Sequence, residues 1–261
     1  MICHICAQKS TEFSKAQILN KYIITYFRCT MCGFIQTEDP YWLKESYTHV
    51  ITDSDLGLVS RNIALSSFTK ALILTNFDSN AKFLDYGGGY GLFVRIMRDI
   101  GFDFYWYDKF CQNIFAKGFE ADFKNHKYEL SVAFEILEHL AHPLTVIEQI
   151  TKLSKNILFS TKLIPDNSPE PSDWWYYGLE HGQHVSFYTI DSLLLIASKF
   201  GLNLYSNKRN IHLLCVEKIP TIIFTLLLNR KITSILNALW KKRSLISKDF
   251  YYLTGRRMDK T

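Results

Sequence analysis

This sequence of 261 residues has no long hydrophobic run and few prolines, and its positive charge is not evenly distributed. Its apolar runs fall well short of the roughly 20 residues that a membrane-spanning helix requires. Its N-terminus has cysteines where a signal peptide has its charged and apolar regions. Six prolines and 48% hydrophobic residues exclude a collagen-like or disordered chain. We therefore expect a cytoplasmic protein with one large domain, alone or with a small appendage.

The net charge of +5 is concentrated at the C-terminal end. Residues 219–261 hold nine Lys and Arg against two Asp and Glu, a net +7, so the other 218 residues sum to −2. This body lacks the clustered positive charge that phosphate binding requires, so we expect no nucleic-acid partner. The pattern of residues 219–261, the tail, predicts one or two basic amphipathic helices. Packing on its own domain, homodimerisation and peripheral contact with the inner membrane surface all stay open for it.

Four of the six cysteines form two matching pairs. Cys3 and Cys6 share the C-x-x-C spacing of Cys29 and Cys32, and 22 residues separate the pairs. This is close to the spacing of a zinc ribbon, and four thiolates suit a tetrahedral structural zinc with no position left for substrate. Disulfides or unrelated cysteines are the alternatives. The sequence thus predicts a zinc-binding module over residues 1–40, with a strand at 22–28.

A glycine-rich loop lies between a predicted strand and a predicted helix. The strand at 81–86 runs into Gly87, Gly89 and Gly91, and residues 92–100 have the apolar face of a helix that Gly101 ends. Glycines let a nucleotide-like ligand approach the backbone, and the helix N-terminus offers free N–H groups. The next predicted strand, 102–107, ends in Asp108, 17 residues after Gly91. A carboxylate there can accept both hydroxyls of a ribose, although a surface acid at a strand end is the alternative.

These motifs resemble the class I S-adenosylmethionine-dependent methyltransferases, whose first motif is a strand ending in hydrophobic-Asp-x-Gly-x-Gly-x-Gly. The segment 132–140, with Glu135, Glu138 and His139 before Pro143, resembles the fourth-strand motif of a subgroup that has the sequence E-x-L-E-H. The resemblance covers roughly residues 55–216. It implies an α/β, Rossmann-like sheet with helices on both faces over residues 41–218, antiparallel last strands, and S-adenosylmethionine as cofactor.

The same resemblance implies a role for each cofactor-binding residue. The glycines contact the methionine portion, Asp108 binds the ribose, Asp85 orients the loop or the methionine amino group, and Phe123 contacts the adenine. The full predicted set is Asp85, Gly87, Gly89, Gly91, Asp108, Phe123 and Phe134. Glu138 and His139 are interpreted as a marker of the family and not as catalysts.

An aromatic and histidine-rich segment, residues 174–189, follows the predicted strand at 156–161. Loops after the carboxyl ends of parallel strands face the ligand crevice, so this segment is expected to meet the acceptor. Aromatic faces beside amide groups suit a polyhydroxylated ring. The predicted substrate contacts are Trp174, Trp175, Tyr176, Tyr177 and Gln183, together with Tyr47 from an aromatic stretch that can act as a lid.

Methyl transfer needs alignment and, for a hydroxyl or carbon acid, a base. His181 and His184 are the predicted bases, with Glu180 placed to orient an imidazole; holding the loop by hydrogen bonds is the alternative. Glu180-His181 is similar to a pair in zinc-containing sugar C-methyltransferases. The stretch 182–189 is more similar to methyltransferases of bacterial surface-polysaccharide pathways. We therefore expect a sugar or glycan acceptor. The alternatives are a small-molecule or lipid-quinone acceptor and a non-catalytic, zinc-containing binding protein.

Overall fold

The computed structural model describes residues 1–48 and 55–258, so residues 49–54 and 259–261 of the predicted domain ranges lie outside the described residues. The strands in chain order are β1 (Ser10–Ile18), β2 (Tyr22–Cys29), β3 (Ile35–Thr37), β4 (Lys82–Tyr86), β5 (Asp103–Tyr107), β6 (Leu130–Phe134), β7 (Ile157–Ser160), β8 (Ser186–Phe187), β9 (Asn203–Ser206) and β10 (Ile211–Cys215). The helices are α1 (Leu43–Ser46), α2 (Leu58–Asn76), α3 (Leu92–Asp99), α4 (Pro143–Leu153), α5 (Ile190–Phe200), α6 (Thr221–Leu227), α7 (Arg230–Leu239) and α8 (Ile246–Thr254).

The described residues fall into two compact units. The N-terminal unit consists of the described part of Met1–Ser54 together with Ala133–Lys218. The glycine-loop unit consists of Asp55–Val132 together with the described part of Ile219–Thr261. The division into domains at 1–40, 41–218 and 219–261 stays a prediction.

A four-stranded antiparallel sheet with the order β1-β2-β3-β8 organises the N-terminal unit. The predicted strand at 22–28 is β2; it forms a hairpin with β1, and β3 continues the sheet. The last strand, β8, comes from the aromatic and histidine-rich segment, with Ile35 paired to Phe187 and Gln36 to Ser186. The segment predicted to meet the acceptor therefore contributes a two-residue edge strand to the sheet that carries the cysteine pairs.

Hydrogen bonds and aromatic packing fasten the same segment to residues 1–48. The Leu19 N–H donates to the carbonyl of Leu179 at 2.8 Å, and the Trp42 indole N–H donates to the carbonyl of Gly182 at 2.8 Å. Tyr26 on β2 packs edge-to-face on Tyr177, with ring centroids 5.2 Å apart, and both rings are fully buried. Burial of such large rings is a major stabilising contribution, so this core fixes the course of the loop.

The second sheet has six strands in the order β5-β4-β6-β7-β10-β9. Strand β4 is parallel to both β5 and β6, whereas β10 is antiparallel to β7 and β9. The predicted α/β Rossmann-like fold is thus confirmed. Of the last two strands only β10 runs against its neighbours, because β9 is antiparallel to β10 and therefore has the same direction as β7. Helix α5 starts with a side-chain cap, since the Thr189 hydroxyl accepts from the N–H of Ser192.

The tail packs within the glycine-loop unit. Arg98 of α3 forms an ion pair with Asp249 of α8 at 2.7 Å, and both side chains are almost completely buried. Phe224 of α6 packs on Phe68 of α2. This corresponds to the packing alternative for residues 219–261. Among the described helices none alone has the length and apolar character to cross a membrane, while α6 and α7 together, bent by 92°, meet that test.

Candidate functional site

The four paired cysteines converge on one point of the N-terminal unit. The Cys3 and Cys32 sulfurs are 3.7 Å apart, Cys6 and Cys29 are 3.4 Å apart, and no disulfide joins them. A Zn–S bond of about 2.3 Å places the sulfurs of a tetrahedral site about 3.8 Å apart. The sulfur of Cys32 lowers the pKa of the Cys3 thiol to about 5. The donor set therefore fits a structural zinc, which the thiolate form of each cysteine would hold.

The glycine loop provides room for a ligand beside close packing. A Cβ at Gly89 would meet no atom within 4 Å, whereas one at Gly91 would lie 2.7 Å from Oδ1 of Asn113. A Cβ at Gly88 would lie 2.5 Å from Oδ2 of Asp85. Gly87, Gly89 and Gly91 all have positive φ, between 54° and 85°. The sequence therefore needs glycine here for backbone conformation, and the open face is at Gly89.

Asp108 already organises the loop to which it is adjacent. Its Oδ2 accepts from the N–H of Gly89 at 3.0 Å, and its Oδ1 accepts from the N–H groups of Phe110 and Cys111 at 2.7 and 2.8 Å. A carboxylate has about four lone-pair positions, so one on Oδ2 remains for a ribose hydroxyl. For Asp108 to accept the second ribose hydroxyl as well, that hydroxyl must replace the Gly89 N–H as a donor to Oδ2. These residues fit the nucleoside part of the predicted cofactor.

Asp85 is a buried carboxyl beneath the same loop. It is 3% exposed, and its Oδ2 has no hydrogen-bond partner. Burial, and next the negative charge of Asp108, raise its pKa to about 8. A cationic group, such as the amino group of a methionine moiety, would compensate the ionised form.

The free energy of unfolding of the ligand-free protein should depend on Asp85. Between the ordinary carboxyl pKa and about 8, the folded state keeps a proton that the unfolded state releases, so this group lowers stability as pH rises. We expect Asp85→Asn to remove a slope of up to about 1.4 kcal/mol per pH unit. Urea unfolding of both proteins at pH 5, 6, 7 and 8 measures it. Parallel pH profiles for the two proteins would contradict the assignment.

The two predicted phenylalanines of the cofactor site lie in different units. Phe123 is 37% exposed, and its ring centroid is 4.8 Å from that of Tyr107 at the end of β5. Phe134 is the last residue of β6 and is half-buried. The roles of both stay predictions.

The predicted substrate contacts differ widely in exposure. Trp175 is 72% exposed, whereas Tyr176 and Tyr177 are buried and Trp174 packs against both of them. Gln183 is buried, and its amide donates to the carbonyl of Ser46. Tyr47 is half-buried, with its ring centroid 6.2 Å from that of His139. Of the aromatic segment, only Trp175 offers a broad face to solvent among the described residues.

The hydrogen bonds distinguish the two predicted histidine bases. The backbone N–H of Gln183 donates to Nδ1 of His181 at 3.1 Å, so the neutral ring carries its proton on Nε2. In His184, Nδ1 faces the carbonyl of Tyr176 at 2.5 Å and must donate, which leaves the lone pair on Nε2. Glu180 is exposed, and its Oε1 is 4.0 Å from Nε2 of His181. The lone pair suited to accept a proton is therefore that of His184.

Glu138 and His139 lie beside His184, which the sequence did not reveal. The ring centroids of His139 and His184 are 4.8 Å apart, and one potential ligand atom from each of the three residues lies within 4.8 Å of the others. The three residues come together because the 3₁₀ turn Leu137–His139 bonds to the 184–188 stretch: the Val185 N–H donates to the carbonyl of Glu138. The E-x-L-E-H motif is the sequence signal for this cluster, although by itself it indicates the family and not a site.

Burial changes the ordinary charges of this cluster. It lowers the pKa of His139 to about 4 and that of His184 well below its usual value, and it also lowers the pKa of His181. Burial, followed by the charge of Glu135, raises the pKa of Glu138 to about 8. Glu135 itself has φ of 53°, and its carboxylate accepts from the Ser160 hydroxyl at 2.5 Å. Such a strained backbone at a non-glycine residue is typical of functional sites.

Comparison with known sequences identifies a family. The profile of a family described as a methyltransferase domain matches residues 61–207, more than half of the chain. No curated protein matches this chain.

Solved structures similar to this chain include methyltransferases. The magnesium protoporphyrin IX methyltransferase ChlM from Synechocystis PCC 6803, with bound SAH, is 14% identical with a TM-score of 0.41, over 67% of this chain and 96% of its own. CalO1, a methyltransferase in calicheamicin biosynthesis, is 15% identical with a TM-score of 0.41, over 67% of this chain and 61% of its own. The mitomycin 7-O-methyltransferase MmcR is 14% identical with a TM-score of 0.42, over 65% of this chain and 60% of its own. For TnmH the matched region is 57% of its length.

Proposed function

This chain belongs to the methyltransferase-domain family and is an S-adenosylmethionine-dependent methyltransferase; from that premise we propose that its acceptor is a hydroxyl of a sugar, nucleotide-linked or within a surface polysaccharide. The observation that carries the proposal is the lone pair of His184, buried in a loop that also presents the exposed indole of Trp175. A base for the hydroxyl and a flat apolar face for the ring are the two groups that a sugar acceptor requires.

The glycine-loop unit binds and orients the cofactor. Bound S-adenosylmethionine supplies a methyl group on a positively charged sulfur, which is already a good leaving group. Asp108 accepts a ribose hydroxyl, the backbone at Gly89 leaves room for the ligand, and Asp85 faces the charge of the amino group. These residues act by positioning, which is the main contribution a protein makes to an in-line displacement.

The N-terminal unit binds the acceptor. Trp175 offers a stacking face, and the ammonium group of Lys162 lies 5.2 Å from the centroid of its ring. An ammonium group there also suits the phosphates of a nucleotide sugar. His184 removes the hydroxyl proton at Nε2, the O–CH3 bond forms, and the S–CH3 bond breaks to leave a neutral thioether. One proton is released for each methyl group transferred.

The proposed zinc has an indirect role in this scheme. Cys3, Cys6, Cys29 and Cys32 would hold it, and β2 and β3 connect it to β8 in one sheet. The Thr189 hydroxyl also donates to the carbonyl of Cys32 at 2.5 Å. Zinc therefore stabilises the sheet whose edge strand follows His184 and contributes no reactive group.

The proposed function is tested by following labelled methyl groups. The protein is incubated with methyl-labelled S-adenosylmethionine and a panel of nucleotide sugars, isolated surface glycan, simple phenols and a quinol lipid. We expect label on a sugar, with O-methylation seen by NMR of the product, and much less label with Asp108→Ala at a cofactor concentration near the Kd of the unaltered protein. Label on the phenols or quinol alone would contradict the sugar acceptor, as would no label at all from a protein that binds the cofactor.

A further inference from the structure

Three side chains of the N-terminal unit, Glu138, His139 and His184, each offer a potential ligand atom, and these atoms lie within 4.8 Å of one another. Glu138 is completely buried; its Oε1 accepts from the Tyr176 hydroxyl at 2.7 Å, and its Oε2 has no partner. The His139 ring donates to the backbone carbonyl of Gln183, and its Nδ1 has no partner. His184 donates through Nδ1 to the carbonyl of Tyr176, which leaves its Nε2 as an acceptor.

These three side chains lack a positively charged partner among the described residues. Buried acceptors without a donor are costly, and each such group in a folded protein requires an explanation. Glu135 adds a second carboxylate whose charge acts on Glu138. No lysine or arginine in the described part of the chain forms an ion pair with either carboxylate.

The outer atoms of all three residues are held as in metal centres. Ligand histidines usually donate their other ring N–H to a carbonyl or carboxylate, and ligand carboxylates are in turn hydrogen-bonded. Here the Gln183 carbonyl holds His139, the Tyr176 carbonyl holds His184, and the Tyr176 hydroxyl holds Glu138. Metal–ligand bonds of about 2.1 Å put ligand atoms about 3 to 4 Å apart. The observed limit of 4.8 Å requires inward shifts of less than about 1 Å.

We propose that Glu138, His139 and His184 bind a divalent transition-metal cation, at a site separate from the cysteine cluster. Two imidazoles and one carboxylate are a ligand set for zinc, iron or manganese that leaves positions open for an oxygen ligand. The acceptor hydroxyl is that ligand, and the cation lowers its pKa, so its proton passes to solvent. This part rests on the proposed function and refines it: the His184 lone pair acts through the cation. The binding site itself does not depend on the sugar acceptor.

Metal binding is measured without reference to activity. Full-length protein containing its cysteine-bound zinc is analysed for metal content and then titrated with MnCl2, with free Mn²⁺ followed by EPR. Thiolates are soft ligands, so Mn²⁺ reports on the histidine and carboxylate site. We expect either one bound Mn²⁺ per chain or, where zinc fills the site, two zinc ions per chain in place of one.

The variants give a graded result. Glu138→Gln keeps an acceptor for the Tyr176 hydroxyl but removes the charge, and we expect at least about 100-fold weaker binding. Tyr176→Phe leaves the proposed ligands in place but removes the hydroxyl that donates to Glu138 and accepts from the Lys162 N–H, so a loss of about 10- to 100-fold is expected. His142→Ala is the matched control, since the exposed ring of His142 in the same unit packs beside that of His4 and not on the cluster, and it should bind as the unaltered protein does. Circular dichroism establishes that each variant is folded.

One zinc per chain and no Mn²⁺ binding would overturn the proposal, as would unaltered binding by Glu138→Gln and a second variant, His139→Gln. Failure of the proposed function gives a different result, namely metal bound with the expected ranking of variants but no methyl transfer to any sugar. Methyl transfer that continues after all Mn²⁺ and the second zinc have been removed, but is lost in His184→Asn, would overturn the role of the cation. In that case His184 alone would accept the proton.

Discussion

Asp108→Ala is expected to weaken S-adenosylmethionine binding by about 10- to 150-fold. The substitution removes a charged acceptor for a ribose hydroxyl and releases the N–H of Gly89, so the glycine loop also loses its bond to the strand end. A hydrogen bond to a charged group contributes about 1.5 to 3 kcal/mol, and 1.4 kcal/mol corresponds to tenfold in affinity. Isothermal titration calorimetry with S-adenosylmethionine measures the effect.

Two variants separate ribose binding from turn formation. Asp78→Ala is the matched control, because Asp78 also accepts a backbone N–H two residues later, from Asn80, in an exposed turn of the same unit. It should leave the affinity unchanged. Asp108→Asn keeps an acceptor oxygen but loses the charge, so its affinity should lie between the two. Binding by Asp108→Ala as tight as that of the unaltered protein would show that Asp108 is a surface acid.

His184→Asn is expected to reduce methyl transfer by about 1000-fold while leaving cofactor affinity intact. Asparagine keeps an N–H near the position of Nδ1 for the Tyr176 carbonyl, but it has no lone pair where Nε2 lies. Loss of general-base catalysis costs about 10²- to 10⁴-fold. We expect the same loss of rate if the Nε2 lone pair binds a metal cation, because asparagine removes that ligand as well. Initial rates with saturating labelled cofactor, beside calorimetry, give both quantities.

His181→Ala is the comparison that decides between the two predicted bases. The Nδ1 atom of His181 accepts from the Gln183 N–H, so the neutral ring can only donate to an acceptor, through Nε2, and its removal should cost no more than about 10-fold in rate. A loss in His181→Ala as large as in His184→Asn would make His181 the base and would contradict the tautomers that the hydrogen bonds assign.

Local patterns predicted a large part of this molecule. The strand before Gly87, the helix after Gly91 and the strand ending at Asp108 appear as β4, α3 and β5 because glycine punctuation and hydrophobic spacing act within a few residues. The two C-x-x-C pairs likewise brought four sulfurs together, since each pair forms its own turn.

The histidine cluster was beyond such patterns. His139 and His184 are 45 residues apart, and the bonds that bring them together join a 3₁₀ turn to an edge strand. Strand β8 has only two residues, too few for any alternation to be seen. Tyr176 is predicted from the sequence as a substrate contact, whereas the hydrogen bond from its hydroxyl to Glu138 depends on tertiary contacts that no local pattern shows.

The pairing of β3 with β8 determines which segments of the chain must be exchanged together between homologues. Residues 35–37 and 186–187 satisfy each other's backbone groups, so neither segment keeps its course without the other. A chimera that takes residues 174–189 from a homologue must also take residues 1–48, or else leave an open sheet edge and unmatched packing around Tyr26. Residues 1–48 and 174–189 therefore have to be exchanged together, although Trp174 lies 126 positions after Thr48 in the chain.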